Sequence, residues 1–149
     1  MQVEAKFDNI TLLKAYDAMS KKIDEAVKLA VQTVSGEAKR EVTGNLGLSQ
    51  YGRHAKGTPT PSPPGMPPAQ VTTRLRKSIT IQKIVKVGHA HYRQVTEPTV
   101  LYAAAQEFGI PGRLPARPFM SPALARLQDD RRAERIFTAR MKQVVYGLK

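Results

Sequence analysis

The feature that most constrains the fold is a continuous apolar stripe in the first third of the chain. Its members recur at the spacing of one helix face: Leu12, Leu13, Tyr16, Met19, Ile23, Ala26, Val27, Ala30, Val31, Val34 and Ala38. At 1.5 Å per residue such a helix would be roughly 45–50 Å long, which is longer than a small domain needs. A sheet or a neighbouring subunit must therefore cover part of the stripe.

Residues that precede the stripe predict how this helix begins. Val3, Ala5 and Phe7 alternate with polar residues, which predicts a short, half-buried strand. Asp8 is then expected to cap the helix, with Phe7 and Leu12 packed across the first turn. The amino-terminal region thus predicts a strand followed by a long helix.

Residues 44–72 form the least regular part of the sequence. Six prolines fall within eleven residues: Pro59, Pro61, Pro63, Pro64, Pro67 and Pro68. Because proline fixes φ and lacks an amide donor, extended polyproline geometry is expected here rather than a helix or a central strand. Two interpretations remain open, a linker or an arm that lies on an adjacent subunit. Proline favours the arm, since a stiff segment loses less entropy on docking.

The middle of the chain predicts one helical turn followed by a β-hairpin. The turn covers Thr73–Ile79, and the strand Ile79–Val87 that follows is rich in β-branched residues. Its alternation slips after Ile81, which indicates a bulge or a change of face. Tyr92–Thr96 is the expected returning strand.

Two helices are expected in the last third. Val100–Phe108 predicts a short helix with Gly109 at its carboxyl end. Ser121 is expected to cap the last helix, with Pro122 in its first turn. A polar gap at residues 128–132 means that this helix is either fully exposed there or broken.

The expected architecture is a single α+β domain over residues 1–149. A small antiparallel sheet packs against a long amino-terminal helix and a carboxyl-terminal helix, with a long proline-rich loop between them. The sequence has no cationic start followed by an apolar run, and no apolar run of about eighteen residues. It therefore predicts a soluble protein that is made in the cytoplasm and has no membrane partner.

The net charge of +12 is unevenly distributed along the chain. Residues 1–41 carry seven basic and seven acidic side chains, whereas residues 42–96 carry eight basic and no acidic ones. Such a region suits nucleic acid or an acidic protein face, or it is a solvated surface that keeps the monomer soluble. The candidate polyanion contacts are Arg53, Lys56, Arg74, Arg76 and Lys77.

No set of residues organises a catalytic site. The chain has no cysteine, which removes thiolate nucleophiles and zinc–cysteine sites, and it has neither a G-x-S-x-G elbow nor a phosphate loop. His89 and His91 have a spacing that permits shared metal coordination, but the basic surroundings oppose a cation. We therefore expect no enzymatic activity, no metal and no cofactor.

The aromatic residues Tyr102, Phe108 and Phe119 admit two interpretations. Near arginines they could stack on nucleobases, provided that one exposed face displays them. Alternatively they form part of a core that joins helix to sheet. We favour the core.

Three blocks carry a family likeness. Arg74-Leu75-Arg76-Lys77-Ser78-Ile79 is similar to a Gly-Arg-Leu-Arg-Arg-Ser-Ile motif, with Thr73 in place of the glycine. Tyr102-Ala103 through Glu107-Phe108-Gly109 resembles Tyr-Ala…Glu-Phe-Gly, and Pro115–Phe119 with Pro122–Leu124 resembles Pro-Ala-Arg-Pro-Phe…Pro-Ala-Leu. In this order the blocks resemble the tail-component family of long-tailed bacteriophages, whose members are called minor tail, tail completion or head–tail joining proteins. The long proline-rich loop departs from the short Thr-Gly link of many members.

The resemblance implies a non-enzymatic virion subunit that is assembled in the host cytoplasm. It would form a ring, a hexamer, at the head–tail neck or upper tail, against neighbouring neck, terminator or tail-tube proteins. DNA would pass through the lumen without sequence-specific binding. The residues carried over as motif and interface scaffold are Arg74, Leu75, Arg76, Ser78, Ile79, Tyr102, Glu107, Phe108, Gly109, Arg117, Pro118, Phe119 and Pro122.

Within this scaffold, Glu107 and Arg117 are expected to pair with each other or across subunits. Two alternative functions remain open. A tail terminator, which caps the tail tube, is also a small α+β ring subunit. A basic nucleic-acid-binding protein would use residues 42–96 and would bind DNA with an affinity that falls steeply with salt.

Overall fold

Helix α1 spans Asn9–Leu48 and dominates the structure. The computed structural model describes residues 9–48, 61–69, 71–89 and 91–147. The forty residues of α1 extend about 60 Å, so the predicted long helix is confirmed. The helix also includes residues 44–48, which the sequence placed in the irregular loop. The predicted strand at residues 3–7 and the cap at Asp8 lie outside the described residues.

The predicted hairpin is divided into two small sheets. The region begins with helix α2 (Arg74–Lys77). The strands that follow are β1 (Ile79–Ile81), β2 (Val85–Gly88), β3 (His91–Arg93) and β4 (Thr96–Pro98). β1 pairs antiparallel with β4, and β2 pairs antiparallel with β3. The slip after Ile81 is a break between β1 and β2 rather than a bulge within one strand.

Three helices complete the chain: α3 (Ala103–Phe108), α4 (Ser121–Asp129) and α5 (Arg132–Tyr146). The polar gap is a helix break, because Arg131 adopts left-handed backbone angles (φ 46°, ψ 35°) between α4 and α5. The predicted cap by Ser121 is wrong. Met120 is the capping residue, without a side-chain bond, and the Ser121 hydroxyl donates to Glu107 instead.

α4 and α5 run antiparallel to α1. Successive contacts along the carboxyl-terminal segment move backward along α1: Asn45 Nδ2 with Phe119 O (2.8 Å), Glu41 with Arg126 Nε (3.4 Å), and Glu37 with Arg132 Nη1 (3.4 Å). The fifteen residues of α5 extend about 22 Å further.

The buried core lies at the carboxyl-terminal half of α1. Its cluster consists of Val42, Leu46, Leu75, Ile79, Ala103, Phe119 and Ala123. These residues join α1, α2, β1, α3 and the start of α4 into one α+β unit. Within the described ranges, no helix is long and apolar enough to cross a membrane.

The amino-terminal end of α1 extends beyond this core. Every side chain from residue 10 to residue 22 is exposed, and we call these residues the overhang. Its large apolar side chains remain 62% (Leu12), 64% (Leu13), 70% (Tyr16) and 43% (Met19) exposed. Two residues after the overhang, Asp24 accepts hydrogen bonds from Lys86 Nζ (2.7 Å) and Tyr92 OH (2.6 Å). These bonds hold the β2–β3 hairpin against α1.

Candidate assembly surfaces

Glu107 on α3 fastens the start of α4. Its carboxylate is buried (6% exposed) and accepts hydrogen bonds from the backbone N–H groups of Phe119 (2.7 Å), Met120 (2.9 Å) and Ser121 (2.8 Å). The Ser121 hydroxyl donates a fourth. A negative charge is favourable at a helix amino terminus, where amides lack intrahelical partners. One side chain thus fixes the position of the chain that enters α4.

The environment of Glu107 keeps this carboxyl ionised. Burial alone would raise its pKa, because desolvation disfavours the charged form. The hydrogen bonds from Met120, Phe119 and Ser121 outweigh that cost and hold the pKa of Glu107 below its usual value. The carboxylate is therefore charged at neutral pH.

The predicted pairing of Glu107 with Arg117 within one chain is wrong. Arg117 is buried and donates from Nε to the carbonyl oxygen of Ser62 at 2.8 Å, while its backbone N–H donates to Gln106 O at 2.7 Å. The amide and hydroxyl donors at residues 119–121 already occupy the Glu107 carboxylate. Arg117 therefore serves to hold the proline-rich segment against the corner that precedes α4.

The described part of the proline-rich segment turns back onto its own chain. Met66 N–H donates to Pro63 O at 3.2 Å, with Pro64 and Gly65 (φ 79°) at the centre, which are the residues and angle of a type II turn. Gly65 N–H donates to Ala116 O at 2.9 Å. This part is not purely extended as predicted, because a glycine among the prolines permits the turn. Pro59, Arg53 and Lys56 lie outside the described residues, and a docking arm stays a prediction.

Gly109 occupies a position that no other residue fits well. Its backbone angles are φ 74° and ψ 177°, a region that is essentially restricted to glycine. A Cβ atom there would lie 2.7 Å from Leu114 O and 2.8 Å from Ala116 N. The glycine of the second block therefore allows the turn at residues 110–114 to pack directly beneath the end of α3.

The first block divides into buried and exposed residues. Leu75, Ser78 and Ile79 are buried, and the Ser78 hydroxyl donates to Leu75 O at 2.7 Å. Arg74 and Arg76 are exposed and line a cavity of about 390 Å³ together with the inward Arg117. The structure thus brings three arginines around one cavity. Lys77 is exposed but does not line it.

Thr73 explains why a glycine suits the start of that block. Its backbone angles are φ 57° and ψ 1°, and among the described residues other than glycine only Thr73 and Arg131 have positive φ. A β-branched residue is strained in this left-handed region. The glycine of the motif that the block resembles would relieve this strain.

We expect Thr73→Gly to stabilise the protein by about 0.5–1 kcal/mol, because relief of the strain exceeds the added chain entropy of glycine. Urea unfolding monitored by circular dichroism measures the difference. Thr72→Gly is the matched control and should destabilise, since Thr72 does not have a positive φ. Equal destabilisation by both changes would contradict this interpretation.

An open apolar groove lies between α1, β4, α3 and α4, with a volume of about 540 Å³. We call it the α3–α4 groove. Its lining residues are Val34, Ser35, Ala38, Val42, Gln94, Thr96, Pro98, Ala103, Ala104, Glu107, Phe108, Met120, Ser121, Ala123, Leu124 and Leu127. Phe108 and Leu124 are 77% and 57% exposed. The only ionisable side chain of the lining is that of Glu107.

The expected core position of the aromatic residues holds for Phe119 alone. Phe119 is completely buried, whereas Phe108 is strongly exposed and Tyr102 is 42% exposed. α3 has only six residues, and its buried positions are those of Ala103 and Glu107. Phe108 consequently projects into the groove, while Tyr102 lines the cavity of the three arginines. Pro118 and Pro122 are half-buried beside Phe119.

The two histidines in the described ranges, His89 and His91, form no recognisable site. His89 lies in the turn after β2, His91 begins β3, and both are exposed. No group of three or more His, Cys, Asp or Glu side chains in the described ranges is placed to hold a metal ion. The features that stand out are thus surfaces for packing: the overhang, the α3–α4 groove and the corner held by Glu107.

Comparison of the chain with protein-family models, curated proteins and solved structures finds no match.

Proposed function

We propose that this chain is a structural virion protein of a tailed bacteriophage. It would be a ring-forming subunit at the head–tail neck or upper tail, where it completes the tail or joins it to the head while DNA passes through. One observation carries the proposal. The three blocks that resemble the tail-component family are separate in sequence, yet their residues Leu75, Ile79, Ala103, Phe119 and Ala123 pack into one cluster.

The details of that cluster support a shared structural role for the blocks. The glutamate of the second block binds the backbone of the third through three amides. The glycine of the second block is required where residues 114–116 pass closely, and Thr73 occupies a glycine-like conformation at the start of the first block. The buried residues of the blocks, together with Glu107 and Gly109, thus have roles in the fold, which agrees with a structural protein.

The exposed apolar surfaces support assembly with other protein copies. Leu12, Leu13, Tyr16, Phe108 and Leu124 are each more than half exposed. Large exposed apolar patches are typical of interaction sites. A subunit that is covered only after its neighbours join fits a ring of identical copies.

A nucleic-acid-binding function is the second candidate, favoured by the cavity that Arg74, Arg76 and Arg117 share. Titration of purified protein with double-stranded DNA between 50 and 200 mM salt separates the two. The structural proposal predicts binding without sequence preference, with a dissociation constant of about 1 µM or weaker at physiological salt. Nanomolar binding with sequence preference would favour the second candidate.

The location of the chain in particles tests the proposal itself. A functional, affinity-tagged copy would be expressed during phage growth, and gold-labelled purified particles would be imaged in negative stain. We expect label at the junction of head and tail or on the upper tail. Label that is absent from washed, infectious particles would contradict a virion role.

A further inference from the structure

We propose that the overhang of one copy lies in the α3–α4 groove of the next copy. This inference deepens the proposed function and rests on it for the ring, but it concerns a contact that purified protein can form. It names both surfaces of a head-to-tail interface within one chain.

The two surfaces are matched in chemistry. The overhang presents Leu12, Leu13, Tyr16 and Met19 along one helix face. The groove is walled by Phe108, Leu124 and other apolar side chains. An amphipathic helix that lays its apolar face into a hydrophobic groove is a recurring mode of protein recognition.

The charges favour this occupant over a polyanion. The lining of the groove contains no lysine or arginine, and its one ionisable residue, Glu107, is a carboxylate. The exposed flanks of the overhang carry Lys14, Lys21 and Lys22 against Asp17. The whole chain has a net charge of +12. A groove whose lining has no lysine or arginine does not repel the lysines that flank the overhang.

A single copy cannot make this contact with itself. Tyr16 and Ala38, near the centres of the two surfaces, lie on the same continuous helix. Their separation of 22 residues corresponds to about 33 Å. The overhang therefore reaches a groove only on another copy. Used head to tail, two different surfaces make a heterologous contact, which generates a ring when its rotation closes.

The size of the contact indicates how it would behave. A helix about 20 Å long, embedded to half its circumference, removes on the order of 400 Å² from water, and the groove loses a similar area. The sum of on the order of 800 Å² lies below the range of about 1,200–2,000 Å² for stable pairs. Isolated pairs of copies would therefore associate weakly. A closed ring would be more stable, because every copy in it buries both its overhang and its groove.

Disulfide trapping tests the contact, since the natural chain has no cysteine. Met19→Cys and Leu124→Cys are separate single variants at exposed positions, which circular dichroism should show to be folded. We expect their mixture to form a cross-linked heterodimer on oxidation. The double variant should give a ladder of cross-linked species that ends at one closed ring.

Two controls make the result specific. Met66→Cys is also half exposed but lies outside the groove lining, and its mixture with Met19→Cys should cross-link at least tenfold less. Adding Tyr16→Glu to Met19→Cys should reduce trapping to a similar extent without changing the urea midpoint, because Tyr16 is 70% exposed.

Three results would overturn the interface. One is self-cross-linking of Met19→Cys as efficient as that of the mixture, which would indicate two-fold pairing of overhangs. The second is cross-linking of Met19→Cys with Met66→Cys that is as efficient as that with Leu124→Cys. The third is the absence of any cross-link between Met19→Cys and Leu124→Cys. If particles need the chain but no mixed cross-link forms, the virion role stands and this interface falls. If the mixed cross-link forms but infectious particles do not need the chain, the interface stands and the virion role falls.

Discussion

Glu107→Ala is expected to destabilise the protein by about 3 kcal/mol, since three amides and a hydroxyl at the start of α4 would lose a buried, charged acceptor. For a chain of this length the thermal midpoint should fall by about 6–12 °C. Urea unfolding gives the difference in free energy. Glu107→Gln keeps one carbonyl acceptor and should lose about 2 kcal/mol.

Glu97→Gln is the matched control for this change. Glu97 is exposed and accepts one hydrogen bond, from Gln82 Nε2 at 2.7 Å. Its substitution should cost less than about 0.5 kcal/mol. Equal effects at Glu97 and Glu107 would mean that the bonds to residues 119–121 contribute little.

The effect of Glu107 should also depend on pH. Because its folded pKa is lowered, its stabilising contribution is complete above the unfolded value of about 4.3 and is lost as the pH falls through the folded pKa. The difference in unfolding free energy between the natural chain and Glu107→Gln should be constant from pH 6 to 8 and should narrow below about pH 4. A difference that grew in acid would contradict an ionised, hydrogen-bonded carboxylate.

Gly109→Ala is expected to cost about 3 kcal/mol or more. The backbone angles of Gly109 are strained for any side chain. In addition, the new Cβ would collide with Leu114 O and Ala116 N, which are backbone atoms that cannot rotate away. The turn at residues 110–114 would have to move, together with the chain that leads to Arg117. Urea unfolding measures the loss.

Gly112→Ala separates the two contributions. Gly112 also has a positive φ (69°), but a Cβ there would meet no atom within 4 Å. Its substitution should cost about 1–2 kcal/mol from backbone strain alone. If both glycine variants lost the same stability, the close approach at Gly109 would not be a determinant of the fold.

The sequence was sufficient for the elements whose signal is local. The apolar spacing of α1 and the helical turn before Ile79 each follow from a few adjacent residues. The polar gap at residues 128–132 left two outcomes open, an exposed helix or a broken one, and the structure has the break. The slip after Ile81 was visible too, although its outcome, two separate sheets, depends on which strands pair. Such pairing is set by tertiary contacts that no short window contains.

The candidate surfaces were only partly predictable because they depend on contacts between distant residues. The sequence indicates that a sheet or a neighbouring subunit covers part of the α1 stripe, but not that its most exposed part is the overhang. Glu107 was singled out by its motif, yet its partners lie at residues 119–121, and Arg117 turns to Ser62. Phe108 was expected inside because it is aromatic. In the structure α3 has six residues and buries Ala103 and Glu107, so Phe108 lies on its exposed side.

The most direct test of the central proposal is deletion of the gene from the phage that encodes it, with electron microscopy of the lysate. We expect full heads beside separate tails, and we expect a plasmid copy to restore joined, infectious particles. Abnormally long tails would assign the chain to a tail terminator instead. Intact, infectious particles in the absence of the chain would contradict a structural role in the virion.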